Sequence, residues 1–194
     1  MIHYRKYENY QHYIKHQCGK DAVHTGMIEY GEMLQAALVE RLNPWRKHGE
    51  GMLCLGARTG AEVEAFMKMG YFAVGVDINP LPKNPWVLLG DFNDLLWFDE
   101  TIDNIYTNSL DHAENLTELR NQIYRKLKPG GKLFVDIVAG IEEGYTPGAF
   151  ESCWWDKVDD VVELLHGSGF KAMSRSPITE PWTGEFVVFR KELK

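Results

Sequence analysis

The sequence predicts an α/β fold in three layers: a seven-stranded, mostly parallel sheet whose last strand runs antiparallel, with helices on both faces. Two observations carry this. From Gly51 onward, short apolar runs alternate with amphipathic stretches, the pattern of βα units around a parallel sheet. The first run, Met52–Leu55, ends in a turn of mostly small residues, Gly56-Ala57-Arg58-Thr59-Gly60, that opens directly into an amphipathic stretch. The segment before Glu50 differs: its first 17 residues are polar and aromatic, and it holds five of the seven histidines. We read residues 1–50 as a helical cap and 51–194 as the main domain.

Taken in order, the strands are expected at Met52–Leu55, Phe72–Val76, Val87–Leu89, Ile102–Thr107, Lys132–Ile137, Phe170–Ser174 and Glu185–Arg190. Thr59-Gly60-Ala61-Glu62 has the spacing of a capping box, which starts a helix after the first strand, and Gly70 ends it. Asn79-Pro80-Leu81-Pro82-Lys83-Asn84-Pro85 is too rich in proline for a helix, so that crossover is an irregular loop. Asp111 and Glu114 offer a cap to the next helix. Its Leu116, Leu119, Ile123 and Leu127 recur at helical spacing before Lys128-Pro129-Gly130-Gly131 stops it. Pro177–Gly184 leaves no room for a helix, so the last two strands pair antiparallel. In the cap, Tyr4, Tyr7, Tyr10 and Tyr13 fall three apart, a drifting stripe along a helix.

The 194 residues suit one domain with a short appendage. A net charge of −7 repels phosphate backbones and speaks against nucleic-acid binding. No apolar run approaches the roughly 18 residues of a membrane span, and the first residues lack the apolar stretch of a secretory signal, so a cytoplasmic protein is expected. Cys18, Cys54 and Cys153 are odd in number and without CxxC spacing, which reads as free thiols. His12 and His16 stand four apart, but no third ligand is near, and no metal site is expected.

The glycine turn lets a ligand approach the backbone, and Asp77, about 20 residues beyond it, stands where such folds hydrogen-bond a ribose. The G-x-G-x-x-G of nicotinamide enzymes is missing, since Arg58 occupies the second glycine position. Further stretches follow in order: Gly90-Asp91-Phe92, Asp103-Asn104-Ile105-Tyr106-Thr107-Asn108-Ser109, and Leu127-Lys128-Pro129-Gly130-Gly131-Lys132-Leu133. The series, from Gly51 to Arg190, resembles the class I S-adenosylmethionine-dependent methyltransferases and their Rossmann-like fold. The resemblance implies S-adenosylmethionine as cofactor and S-adenosylhomocysteine as product. It places Gly56 and Gly60 beside the methionine moiety, Asp77 at the ribose, Asp91 and Phe92 at the adenine and Asn108 beside the sulfonium. Ala57, Ile78 and Ser109, their chain neighbours, complete the set.

Two positions depart from the family pattern. The acidic residue common in the first strand is Cys54, and the second glycine is Arg58. Arg58 could fork onto the cofactor's carboxylate or point into solvent. Asp77, Asp91 and Asn108 could each be turn residues. Together, at the ends of three successive strands, they converge on the crevice where open α/β sheets bind ligands.

Methyl transfer asks the protein mainly for orientation and a dry cavity, plus a base where the acceptor's proton is held tightly. Asp111, His112, Asp136, Glu142 and Glu143 lie near strand ends, and His112 is the candidate chosen, because imidazole takes a proton near neutral pH. The alternative for His112 is packing or capping. Neither a Pro-Pro-Tyr after Asn108 nor a Pro-Cys pair is present, the patterns resembling nucleic-acid base methyltransferases. The expected acceptor is a small molecule, such as a sugar or an amine, methylated on oxygen or nitrogen. It would be enclosed by the cap and by Ala139–Trp155, which carries Glu142, Glu143, Tyr145, Trp154 and Trp155. One of the two tryptophans is expected to anchor the next helix instead. The rivals are a nonmethylating S-adenosylmethionine-binding protein, an aminopropyl-type transferase, and a protein or tRNA methyltransferase. A monomer or a homodimer fits the sequence equally.

Overall fold

The computed structural model describes residues 1–20, 26–81 and 84–192. The main sheet holds seven strands in the order β4-β3-β2-β5-β6-β9-β8. They are β2 (Gly51–Leu55), β3 (Phe72–Asp77), β4 (Val87–Leu89), β5 (Ile102–Thr107), β6 (Leu127–Val138), β8 (Phe170–Ile178) and β9 (Gly184–Lys191). All the expected strands are there. Strand β9 is antiparallel to both β6 and β8, and the pairings among β2 to β6 are parallel. A second sheet pairs β1 (Ile2–Tyr4) antiparallel with β7 (Cys153–Trp155).

The period-2 alternation of β2 divides the core between the sheet's two faces. Leu53 and Leu55 pack with Ile105, Leu119, Ile123, Val161 and Leu165, under α4 (Leu116–Lys126) and α5 (Val158–His166). Met52 and Cys54 pack with Phe66, Tyr106 and Phe134, under α2 (Gly26–Leu42) and α3 (Ala61–Lys68). Leu34, Leu38 and Leu42 of α2 belong to that second core, so this helix completes the three layers.

Several local expectations are corrected. The first capping box does not form: Gly60 is the N-cap, at φ +78°, and Glu62 is buried instead of reaching back. The cap of α4 is Asn115, whose Oδ1 accepts from the Thr117 and Glu118 amides at 3.0 and 3.2 Å, while Asp111 sits in a short 3-10 turn, Leu110–His112. Asn115→Ala is therefore expected to cost about 1 kcal/mol in a urea unfolding titration. The tyrosine stripe is broken as well. Tyr4 is in β1, and α1 (Tyr10–Cys18) begins only after Asn9, whose side chain accepts from the His12 amide at 3.0 Å. Lys128–Gly131 lies inside β6, which begins five residues earlier than the apolar run suggests. Within the proline-rich loop, Pro82 and Lys83 lie outside the described residues, as do residues 21–25 of the cap and Leu193 and Lys194. Trp155 is the anchoring tryptophan: it is buried and its Nε1 donates to the Val138 carbonyl at 2.8 Å, whereas Trp154 stacks on His3.

Candidate functional site

A cavity of about 340 Å3 opens at the carboxyl ends of β2, β3 and β5. Strand β2 pairs with β3 on one side and β5 on the other, so the cavity lies where the strand order reverses, the ligand crevice of open α/β sheets.

Gly56 turns the chain at the end of β2. Its φ is +72°, and a Cβ there would stand 2.6 Å from the Ser109 side chain, so no other residue fits between the ends of β2 and β5. Asp77 ends β3 and lines the cavity, its Oδ1 accepting from the Asn79 amide at 2.7 Å. Burial raises its carboxyl above the ordinary value, opposed by the Asn79 amide and by the positive charges of Arg58 and Lys20. Ile78, Phe92, Asn108 and Ser109 also line the cavity, with Ser109 Oγ donating to Asn108 Oδ1 at 2.9 Å. Arg58 faces the cavity, not bulk solvent. One of its terminal nitrogens donates to the Lys20 carbonyl at 2.6 Å, and its Nε is buried with no partner among the described residues.

Three residues of the expected set stand apart from this lining. Ala57 is buried behind the loop against Gly75, and Gly60 holds the helix start, where a Cβ would meet the Asn84 amide nitrogen at 2.0 Å. Asp91 faces a neighbouring apolar groove beside Leu88, Leu89 and Leu96; its carboxylate accepts from the Tyr10 hydroxyl and the Asn93 amide.

At the other end of the cavity, His112 Nδ1 donates to the Phe150 carbonyl at 3.2 Å, since a carbonyl only accepts. That leaves Nε2 to accept from Lys20 Nζ at 2.9 Å. Burial, reinforced by the Lys20 charge, pushes the imidazole pKa down to about 3. Burial likewise lowers Lys20 to about 8 and raises Asp111, whose Oδ1 is 4.0 Å from His112 Nε2, to about 7. The other base candidates are engaged elsewhere. Asp136 accepts from Arg41 at 2.6 Å and Tyr106 at 2.9 Å beneath the sheet ends; Glu143 accepts from the Gly140 and Val158 amides; Glu142 pairs with Lys157 at 3.2 Å.

Among the cavity residues that escaped the sequence reading are Lys20, Tyr30, Glu62 and Trp182. Glu62 carried a signal, T-x-x-E spacing, that was read as a cap. Lys20 comes from the cap segment, which Tyr7 and α1 fasten to Ala139–Trp155: Tyr7 Oη and Gln17 Nε2 meet Ser152 Oγ at 2.8 and 2.9 Å. His12 and His16 turn to different partners, the Glu8 amide and the Tyr7 hydroxyl, and no cluster of metal-ligating side chains occurs among the described residues.

Residues 53–135 match the model of a methyltransferase domain. That span contains the glycine turn, Asp77, Phe92 and Asn108. This match and the fold shared with solved structures support a class I S-adenosylmethionine-dependent methyltransferase. The chain is accordingly a methyltransferase, with S-adenosylmethionine as its cofactor. Among solved structures, one similar to it is the 1,6-didemethyltoxoflavin-N1-methyltransferase of Burkholderia thailandensis, with bound 1,6-didemethyltoxoflavin and S-adenosylhomocysteine. The TM-score is 0.77 at 15% identity over 99% of this chain and 95% of that one. Another is the complex of the Haloferax volcanii Trm112 methyltransferase activator with a putative methyltransferase (0.66, 16%, 87% and 92%). A third is an S-adenosylmethionine-dependent methyltransferase of Aquifex aeolicus (0.65, 17%, 88% and 97%). No curated protein matches the chain in sequence. No helix among the described residues is long and apolar enough to cross a membrane.

Proposed function

We propose that this methyltransferase acts on an oxygen or nitrogen of a small molecule held in the same cavity as the cofactor. The observation that carries this reading is the wall of the cavity. Tyr13, Tyr30, Tyr145 and Trp182 enclose it beside the polar cluster of Lys20, Asp111 and His112, a lining that suits a compact molecule with flat faces and polar edges. The Burkholderia enzyme, whose name states a small-molecule acceptor, agrees with it.

The donor set fits the cofactor chemically: a side-chain-free turn at Gly56, a carboxylate at Asp77 for ribose hydroxyls, an apolar wall at Ile78 and Phe92, and Asn108 with Ser109 at the end of β5. When bound, S-adenosylmethionine supplies an electrophilic methyl group on its sulfonium. The chain's own part is to orient the acceptor and exclude water. We assign the acceptor's proton to Asp111, a carboxyl poised near neutrality, and Lys20 balances the charge there. His112 is a positioning residue, because its Nε2 is taken up by Lys20 Nζ. The first 50 residues act as the cap: α1 is fastened to the loop that walls the acceptor end, and Tyr13 Oη donates to the His112 carbonyl at 3.0 Å.

A second reading, a methyltransferase that docks a protein partner, is favoured by the apolar edge at β4. Leu88, Leu89, Leu96 and Phe98 are exposed there, and one similar structure is a complex with an activator protein.

The test is to incubate the purified chain with S-adenosylmethionine and pooled small-molecule extracts, following S-adenosylhomocysteine release and product mass. We expect release with a mass gain of one methyl group. Thermal shifts should show stabilisation by both adenosyl ligands and none by NAD. Turnover only in the presence of a macromolecular fraction would favour the second reading, and a larger transferred group would point to an aminopropyl-type enzyme.

A further inference from the structure

Two buried polar atoms at the cavity have no partner among the described residues, and they are of opposite character: Arg58 Nε, a cationic donor, and Glu62 Oε2, a carboxylate acceptor. Arg58 comes from the β2–α3 connection and Glu62 from the first turn of α3. We propose that Arg58 and Glu62 form a clamp for a zwitterionic α-amino-acid group, Glu62 receiving the ammonium and Arg58 the carboxylate of S-adenosylmethionine's methionine end. The proposal rests on the reading of this cavity as the donor site.

Glu62 is 2% exposed and forms no ion pair among the described residues, while the charges acting on it, Asp77 and Asp136, are themselves negative. A buried carboxylate without a cationic partner is costly, and burial drives its pKa up to about 7. A ligand ammonium supplies the missing charge and three donors at once. Arg58 has already committed a terminal nitrogen to the Lys20 carbonyl, which fixes the guanidinium while its Nε remains to donate. A carboxylate is the acceptor that a guanidinium's planar edge fits best. The placement is consistent with the rest of the cavity. Asp77 and Ile78 at the end of β3 meet the nucleoside, so the amino-acid end falls at the β2–α3 turn. It also accounts for a departure in the sequence. The first strand carries Cys54 where an acidic residue is common, and the Glu62 charge acts directly on that buried thiol. The carboxylate reaches the same region from the helix instead of the strand.

Calorimetry on the full chain separates the possibilities with three ligands: S-adenosylhomocysteine, its analogue with hydrogen in place of the amino group, and 5′-methylthioadenosine, which lacks the amino-acid group. Glu62→Gln should weaken S-adenosylhomocysteine by about 10- to 30-fold and leave the other two within about 2-fold of wild type, because only the first carries the ammonium. Arg58→Gln should weaken both carboxylate-bearing ligands and spare 5′-methylthioadenosine. Unchanged S-adenosylhomocysteine affinity in Glu62→Gln overturns the proposal, as does an equal loss for all three ligands. Failure of the wild-type chain to bind any of the three instead overturns the donor-site reading on which the clamp rests.

Discussion

Replacing Asp77 by alanine is expected to weaken S-adenosylhomocysteine binding by about 10- to 150-fold, the equivalent of losing a hydrogen bond to a charged acceptor worth about 1.5–3 kcal/mol. The side chain stands at the carboxyl end of β3 with one oxygen committed to the Asn79 amide, which holds the carboxylate in place facing the cavity. Burial disfavours its charge, while Arg58 and Lys20 support the ionised form, the acceptor that the proposed function assigns to the ribose hydroxyls. Asp77→Asn separates the two roles. It keeps an acceptor for the Asn79 amide and removes the charge, so it should keep the stability of wild type while losing part of the affinity. Calorimetry paired with urea unfolding checks both. Unchanged affinity in a folded Asp77→Ala protein would make Asp77 a turn residue only.

Most of the fold was legible because its signal is local. Leu53 and Leu55 against Met52 and Cys54 alternate within five residues, and the glycine turn that follows marks the strand's end wherever the rest of the chain lies. The positions of Gly56, Asp77, Phe92 and Asn108 follow from strand ends, so they too could be read one unit at a time. What escaped depends on contacts between distant segments. Ile2–Tyr4 is a strand only because Cys153–Trp155 pairs with it, and three residues give no periodicity of their own. The basicity of His112 looked serviceable from its residue type. In the fold, a carbonyl 38 residues away and a lysine 92 residues away engage both ring nitrogens, and burial, reinforced by the lysine's charge, holds its pKa down. Glu62 was misread for a different reason: T-x-x-E has one spacing whether the glutamate turns back to cap the helix or is buried against the sheet, and only packing decides.

That burial leads to the largest stability effect expected. Without ligand, Glu62→Gln should stabilise the protein by about 3 kcal/mol at pH 8 and by little at pH 4. The carboxyl titrates near its ordinary 4.5 in the unfolded chain and at about 7 in the folded one. Between these values the folded state binds more protons than the unfolded state, so this group makes stability fall as pH rises from 4.5 to about 7, and the loss is complete above that. Glutamine keeps the size and removes the charge, so the difference between variant and wild type opens across the same window. Asp136, raised to about 6 by burial, and Asp111 titrate in both proteins and largely cancel in the comparison. Urea unfolding of both proteins at pH 4, 6 and 8 measures the difference directly, and at pH 8 the melting temperature should rise by roughly 6–12 °C. A constant difference across pH would mean that Glu62 ionises in the folded chain without penalty. Saturating S-adenosylhomocysteine should then narrow the gap, because the ligand's ammonium supplies to the wild-type carboxylate the charge that burial denies it, and the glutamine variant has no such charge to be balanced.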